Sequence, residues 1–232
     1  MLDPPMSSLR LVAGIIAYVG LFAALLFVPA GTLDWWRAWV LLGVLLVVRG
    51  ATTVSVFRVN PGLLVERSRL PIHAGQPLAD RILLISFMST FAALVAFCSL
   101  DVFRLHLAPR PPAVVSFLGI VLFVAGWWII ALVLRTNAFA ATVVRHQEER
   151  HHALVDTGVY AVVRHPMYAG IIPVLVGMCL WLQSYAGALL ALVPISILAA
   201  RIVLEERFLR LTLTGYDAYT ARVRRRLIPG IW

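Results

Sequence analysis

Two short stretches in the C-terminal half concentrate the side chains able to do chemistry. The first, RIVLEERFLR, covers residues 201–210 at the end of an apolar run. On a helix, Arg201 and Glu205 share a face at i,i+4 spacing, and Glu206 and Arg210 form a second such pair. A membrane span has no use for adjacent glutamates as anchors. A carboxylate there must be paired, hydrated, or turned towards a cavity or a cationic ligand. The second stretch, GVYAVVRHPMYAG at 158–170, sets Arg164 beside His165, with Pro166 and Tyr168 following. Pro166 suits the first turn of a helix, where its missing N–H costs nothing. The N–H groups and positive dipole end of a helix starting there favour an anion such as a carboxylate or phosphate. Read blandly, Arg164 meets lipid headgroups, Tyr168 joins an aromatic belt and His165 caps a helix. Read for chemistry, the two stretches are two walls of one polar site.

Three further features bear on that choice. RHQEERHHALVDTGVY at 145–160 carries His146, His151 and His152, but has no zinc-type spacing, and neither Cys98 nor Cys179 is near. No metal is expected; a polar loop folding over a site is. Arg49 stands deep in an apolar run, where an arginine must snorkel to the interface or face the bundle interior. NPGLLVERSR at 60–69 opens on a turn signal and continues as a mixed apolar and basic segment, which suits an interfacial helix or lid.

The elements that must position these residues follow from composition. Hydrophobic residues make up 61% of the 232, charged residues 13%, and the mean hydropathy is +0.91, which excludes an ordinary soluble domain. Spanning a bilayer takes roughly 20 apolar residues as a helix. On that rule six runs qualify, at 11–28, 38–57, 82–100, 114–134, 167–182 and 186–204. The first has no small-residue cleavage site and reads as a retained span. The fifth is short and carries Pro173; with the sixth, across Gln183, Ser184 and Tyr185, it reads as a C-terminal helical hairpin. The expected fold is all-α: one polytopic integral-membrane helical bundle over 1–232.

The net charge of +9 comes entirely from arginine. These arginines fall between the apolar runs, which fits topology signals and anionic headgroups and excludes a nucleic-acid groove. Alternating spans put Arg58, Arg67, Arg81, Arg145, Arg164 and the arginine-rich tail on one side, and only Arg37, Arg104 and Arg110 on the other. By the positive-inside rule both termini are cytoplasmic, a bacterial inner membrane being the expected location.

ALVDTGVYAVVRHPMYAG, then a helical hairpin, then RIVLEERFL, then GYDAYTARVRRRLIPGIW together resemble the isoprenylcysteine carboxyl methyltransferase family. That family sits within a wider group of membrane methyltransferases that includes the phospholipid N-methyltransferases. The resemblance covers the chain from about Arg145 to the C-terminus. It implies S-adenosylmethionine as cofactor and methyl transfer at the cytoplasmic membrane face. Carried over by position, it implies a cofactor wall of His152, Ala153, Leu154, Val155, Tyr160, His165, Pro166, Met167 and Tyr168. Glu205 is implied as a cofactor residue and Arg201 as a substrate residue, the two forming the catalytic pair. Arg145 stands where some members have a cofactor-contacting glutamine, and Glu206 is a neighbouring candidate.

A carboxylate acceptor is already ionised at neutral pH, so its methylation needs no general base, only alignment and exclusion of water. Arg201 could hold such a carboxylate by charge-assisted hydrogen bonds. The resemblance further implies a lipophilic, prenylcysteine-like substrate, met among the membrane lipids. A phospholipid amine or small thiol is the alternative acceptor, and a non-catalytic membrane protein or a nicotinamide-dependent reductase the more distant readings.

Overall fold

The computed structural model describes residues 8–68, 76–140, 153–228 and 232. His146, His151, His152, Arg145 and Arg150 lie outside the described residues. So does Arg69, at the end of the 60–69 segment.

In hydrocarbon every backbone polar group must be satisfied within the segment itself, which restricts long apolar runs to helices. The long apolar runs among the described residues obey this. Its elements are α1 (Ser8–Ala30), α2 (Trp36–Val59), α3 (Pro61–Ser68), α4 (Leu78–Leu100), α5 (Ala113–Thr136), α6 (Pro166–Trp181), α7 (Tyr185–Leu190), α8 (Leu192–Thr212) and α9 (Tyr216–Arg222). Among the described residues there is no strand. Among those residues five segments are long and apolar enough to cross a membrane: Leu9–Ala30, Trp36–Val59, Leu78–Leu105, Ala113–Thr136 and Tyr185–Thr212.

The fifth expected span, 167–182, is the exception. α6 has 16 residues, which at 1.5 Å per residue is about 24 Å, short of the roughly 30 Å hydrocarbon core. Its start is fixed by Pro166 at the first helical position, and its end by Gln183, which turns the chain in a left-handed conformation (φ 68°). Its tight partner is α5, not the other arm of the C-terminal hairpin. A Cβ built on Gly126 would fall 2.5 Å from the Gly170 carbonyl oxygen, and one on Gly177 2.5 Å from that of Gly119. Four glycines thus let two backbones touch, the packing that membrane helices reach with small residues. The arms of the hairpin, α6 and α8, meet more loosely through Tyr168, Leu198 and Ile202.

Each end of the bundle is tied by polar contacts. At one end Trp181 donates to the Arg37 carbonyl and Arg37 to the Trp181 carbonyl, at 2.8 and 3.0 Å. There too Ser184 donates to buried Asp101 at 2.6 Å. At the other end, Asn60 donates to the Leu134 and Arg135 carbonyls at the close of α5. α3, at 61–68, is the helix expected there; it buries Leu63 and Glu66 and sends Arg67 to the Ala140 carbonyl at 2.8 Å. The tail returns to this end, where the Arg164 and His165 N–H groups donate to the Arg225 and Arg226 carbonyls, both at 2.9 Å.

Candidate active site

Adjacent glutamates about two turns from the end of α8 point to different partners. Glu206 turns inward and is 3% exposed. Arg164 Nε donates to its Oε1 at 2.7 Å, Arg226 Nε to its Oε2 at 3.0 Å, and His165 Nε2 lies 3.3 Å from Oε1. Arg164 also donates to the Val223 carbonyl at 2.9 Å. The expected i,i+4 pair of Glu206 with Arg210 does not form. Arg210 pairs with Asp217 and Thr220 beyond the helix, because buried Arg164 and half-buried Arg226 already meet Glu206 on its inner side. Arg164 is accordingly no headgroup ligand.

Glu205 faces a cavity of about 630 Å³. Tyr168 Oη donates to its Oε2 at 2.7 Å, and His165 Nδ1 lies 3.9 Å from the same oxygen. His165 immediately precedes Pro166 at the start of α6 and makes no side-chain cap; its ring stacks on Tyr168 with centroids 5.8 Å apart. The start of α6 and the end of α8 thus form one corner.

One turn earlier on α8, Arg201 Nε donates to Asp80 Oδ1 at 2.9 Å, and Gln76 donates to the other oxygen of Asp80 at 2.6 Å. Asp80 is fully buried and Arg201 is 6% exposed. This pair locks α8 against α4 across 121 residues of sequence. Asp80 is a residue the sequence reading missed; its signal was an acidic residue at the head of an apolar run.

Tyr160 lies on a short 3₁₀ turn, Gly158–Ala161. Its hydroxyl accepts from Asn137 at 2.9 Å and its carbonyl from the Tyr219 hydroxyl at 2.8 Å. Burial, reinforced by the negative charge of Glu205, holds the Tyr160 phenol above its ordinary range, so it stays protonated. On α9, burial pushes Tyr219 up to about 12 and Tyr216 higher still. The Tyr216 hydroxyl is buried on the cavity wall without a hydrogen-bond partner among the described residues.

Of the residues expected at the site, Ala153, Leu154, Val155, Tyr160, His165, Pro166, Met167, Tyr168, Arg201 and Glu205 all line this one cavity. His152 lies outside the described residues. Residues not anticipated from sequence, including Tyr18, Trp127, Asn137, Tyr216 and Tyr219, line it as well. Arg49 also faces it, its guanidinium over the Tyr18 ring at 5.0 Å, so it looks into the bundle rather than snorkelling outward. Among the described residues no three His, Cys, Asp or Glu side chains form a group able to hold a metal ion.

A cavity with an acidic corner, a helix start and several tyrosine hydroxyls suits a polar ligand carrying both charges. A comparison with curated proteins found no match. A family model described as phospholipid methyltransferase matches residues 114–213, a segment that holds Tyr160, His165, Tyr168, Arg201, Glu205 and Glu206 but leaves out Arg49, Asp80 and Tyr216. From α5 to the end of α8, this integral membrane protein thus matches the phospholipid methyltransferase family, membrane S-adenosylmethionine-dependent methyltransferases related to the isoprenylcysteine carboxyl methyltransferases.

Proposed function

We propose that the chain transfers a methyl group from S-adenosylmethionine to the carboxylate of a lipophilic, prenylcysteine-like acceptor at the cytoplasmic face of the membrane. The observation that carries this reading is the meeting of Glu205, Tyr168 and His165 on one cavity wall within the family-matched segment. The arginine asymmetry across the bundle supports a cytoplasmic site, because Arg37, Arg104 and Arg110 lie at the opposite end.

The donor set suits the cofactor. When bound, S-adenosylmethionine supplies a methyl group activated by its sulfonium cation. Glu205 is the acceptor for the cofactor's ammonium or ribose hydroxyls, with Tyr168 fixing the carboxylate's orientation. First-turn N–H groups of Met167 and Tyr168 have no acceptor within α6 and suit the cofactor carboxylate. The Tyr216 hydroxyl, unpartnered among the described residues, suits a further polar group of the same ligand. Val155, Leu154 and Met167 close the pocket with apolar surface that excludes water. His165 is held by Glu206 and orients the corner rather than accepting a proton from the acceptor.

Arg201, fixed by Asp80, orients the reacting end of the acceptor through hydrogen bonds. An ionised carboxylate needs no base, and no side chain here is asked to act as one. A phospholipid amine is the second reading, favoured by the family's description. Radiolabelled methyl transfer separates the two. The purified protein should label N-acetyl-S-farnesylcysteine with a base-labile methyl ester. Base-stable label in phosphatidylethanolamine, with none on the carboxylate, would replace the first reading by the second.

A further inference from the structure

Most charges on the cavity wall are answered inside the fold. Glu206 has Arg164 and Arg226, Arg201 has Asp80, and Glu205 has the Tyr168 hydroxyl. Arg49 is different. It projects from α2 into the cavity, over Tyr18, and its Nε is buried without a hydrogen-bond partner among the described residues. Arg67 of α3 lines the same wall and donates to a neutral carbonyl, with no carboxylate partner among the described residues. Burial, and next the repulsion of Arg49, lower its guanidinium to about 10. Trp127 of α5 adds a buried indole N–H, also unpartnered there.

Two half-buried cations and a spare buried N–H facing one space are costly unless an anion joins them. The surface beside them is apolar and aromatic, built from Phe22, Leu25, Phe87 and Phe91 of α1 and α4. Leu21 and Met88 line the cavity yet are 61% and 50% exposed on the lipid-facing surface, so the space opens sideways between α1 and α4.

We infer that Arg49, with Arg67 and Trp127, forms an anion subsite holding the carboxylate or phosphate head of a single-chain amphiphile that enters between α1 and α4. The inference rests on the methyltransferase reading in one respect, that this amphiphile is the acceptor. Arg201 cannot supply the charge as well, since Asp80 already matches it. The cofactor's own carboxylate is the other source of the same chemistry, and the test separates the two.

Calorimetric titration of the full-length protein in non-ionic detergent uses matched probes: myristate, methyl myristate, myristoyl lysophosphatidate and S-adenosylhomocysteine. Wild type should bind at least one anion about ten-fold more tightly than the neutral ester, the effect of one charge-assisted contact. Arg49→Gln should cut that preference to about two-fold or less, Trp127→Phe should weaken it in part, and Arg49→Lys should keep some of it. S-adenosylhomocysteine affinity should stay unchanged in all three. A preference for the phosphate probe upholds the subsite and assigns it a phosphate head.

The inference is overturned if wild type shows no preference for either anion, or if Arg49→Gln leaves the preference intact. It is also overturned if Arg49→Gln lowers S-adenosylhomocysteine affinity while myristate binding holds, which would give the subsite to the cofactor. Thermal midpoints of the variants matching wild type guard against loss of fold. Anion preference with no S-adenosylhomocysteine binding by wild type would leave the subsite standing and place the failure in the methyltransferase reading.

Discussion

Arg164 and Glu206, 42 residues apart in sequence, meet at 2.7 Å with both side chains buried. The contact ties the first residues before α6 to the last turns of α8, and Arg226 closes on the same carboxylate from the tail. Glu206 is the strut of the corner; its neighbour Glu205 is the surface that strut presents to the cavity.

The division between the two glutamates can be measured. Glu206→Ala leaves Arg164 buried without its carboxylate and should destabilise the protein by about 3 kcal/mol, since breaking a buried pair costs more than the pair contributes. Denaturant unfolding in mixed micelles reads this directly. A change under 1 kcal/mol, roughly the worth of an exposed pair, would remove the strut role.

Glu205→Ala should behave in the opposite way. Its partners on the protein side are a tyrosine hydroxyl and a distant imidazole nitrogen, so stability should shift by only about 1 kcal/mol. S-adenosylhomocysteine affinity should drop about ten-fold or more, as for loss of a charge-assisted contact. Tyr168→Phe should give a smaller loss. Calorimetry on both variants decides it; equal affinity in wild type and Glu205→Ala would move the cofactor elsewhere.

Arg201 and Asp80 call for a paired substitution. Arg201→Ala alone strands a fully buried aspartate and should cost about 3–5 kcal/mol. Arg201→Met with Asp80→Leu removes both charges and should recover most of that stability. Methyl transfer should remain low in the double variant, because the oriented guanidinium is gone. Full recovery of turnover would reduce Arg201 to a link between α4 and α8.

Glycine substitutions test the α5–α6 contact. Gly126→Val and Gly177→Val put a side chain into backbone atoms and should each destabilise by about 1–3 kcal/mol or more. Gly14→Ala meets nothing within 4 Å and should be neutral or stabilising by up to about 1 kcal/mol. Thermal unfolding in detergent ranks them.

Much of the bundle was legible because lipid leaves the backbone few choices. Runs 11–28, 38–57, 82–100 and 114–134 fall inside α1, α2, α4 and α5, each observed helix being longer by a turn or less at most ends. The corner was legible through local spacing: Pro166 starts α6 as its ring requires, and Arg201 and Glu205 do line one wall. Long-range pairing was not. Nothing near Asp80 announces a partner 121 residues away. Glu206 offered Arg210 one turn on, and the fold instead used Arg164 and Arg226. Arg49 was legible as an anomaly but not as a cavity residue, since the facing ring, Tyr18, belongs to another helix. The seven-residue spacing of Gly119 and Gly126, repeated at Gly170 and Gly177, was a usable sign that two helices would touch.

The shortness of α6 has a consequence for the work of catalysis. A helix about 24 Å long falls short of the roughly 30 Å hydrocarbon core, so on the proposed methyltransferase reading a soluble cofactor would descend to its starting corner. Lifting an acyl or prenyl chain of about a dozen carbons out of the bilayer would take on the order of 10 kcal/mol, near 0.8 kcal/mol per methylene. A recessed corner spares the greasy partner that extraction. The hydrophilic partner, which crosses into a wet well at little expense, makes the journey instead.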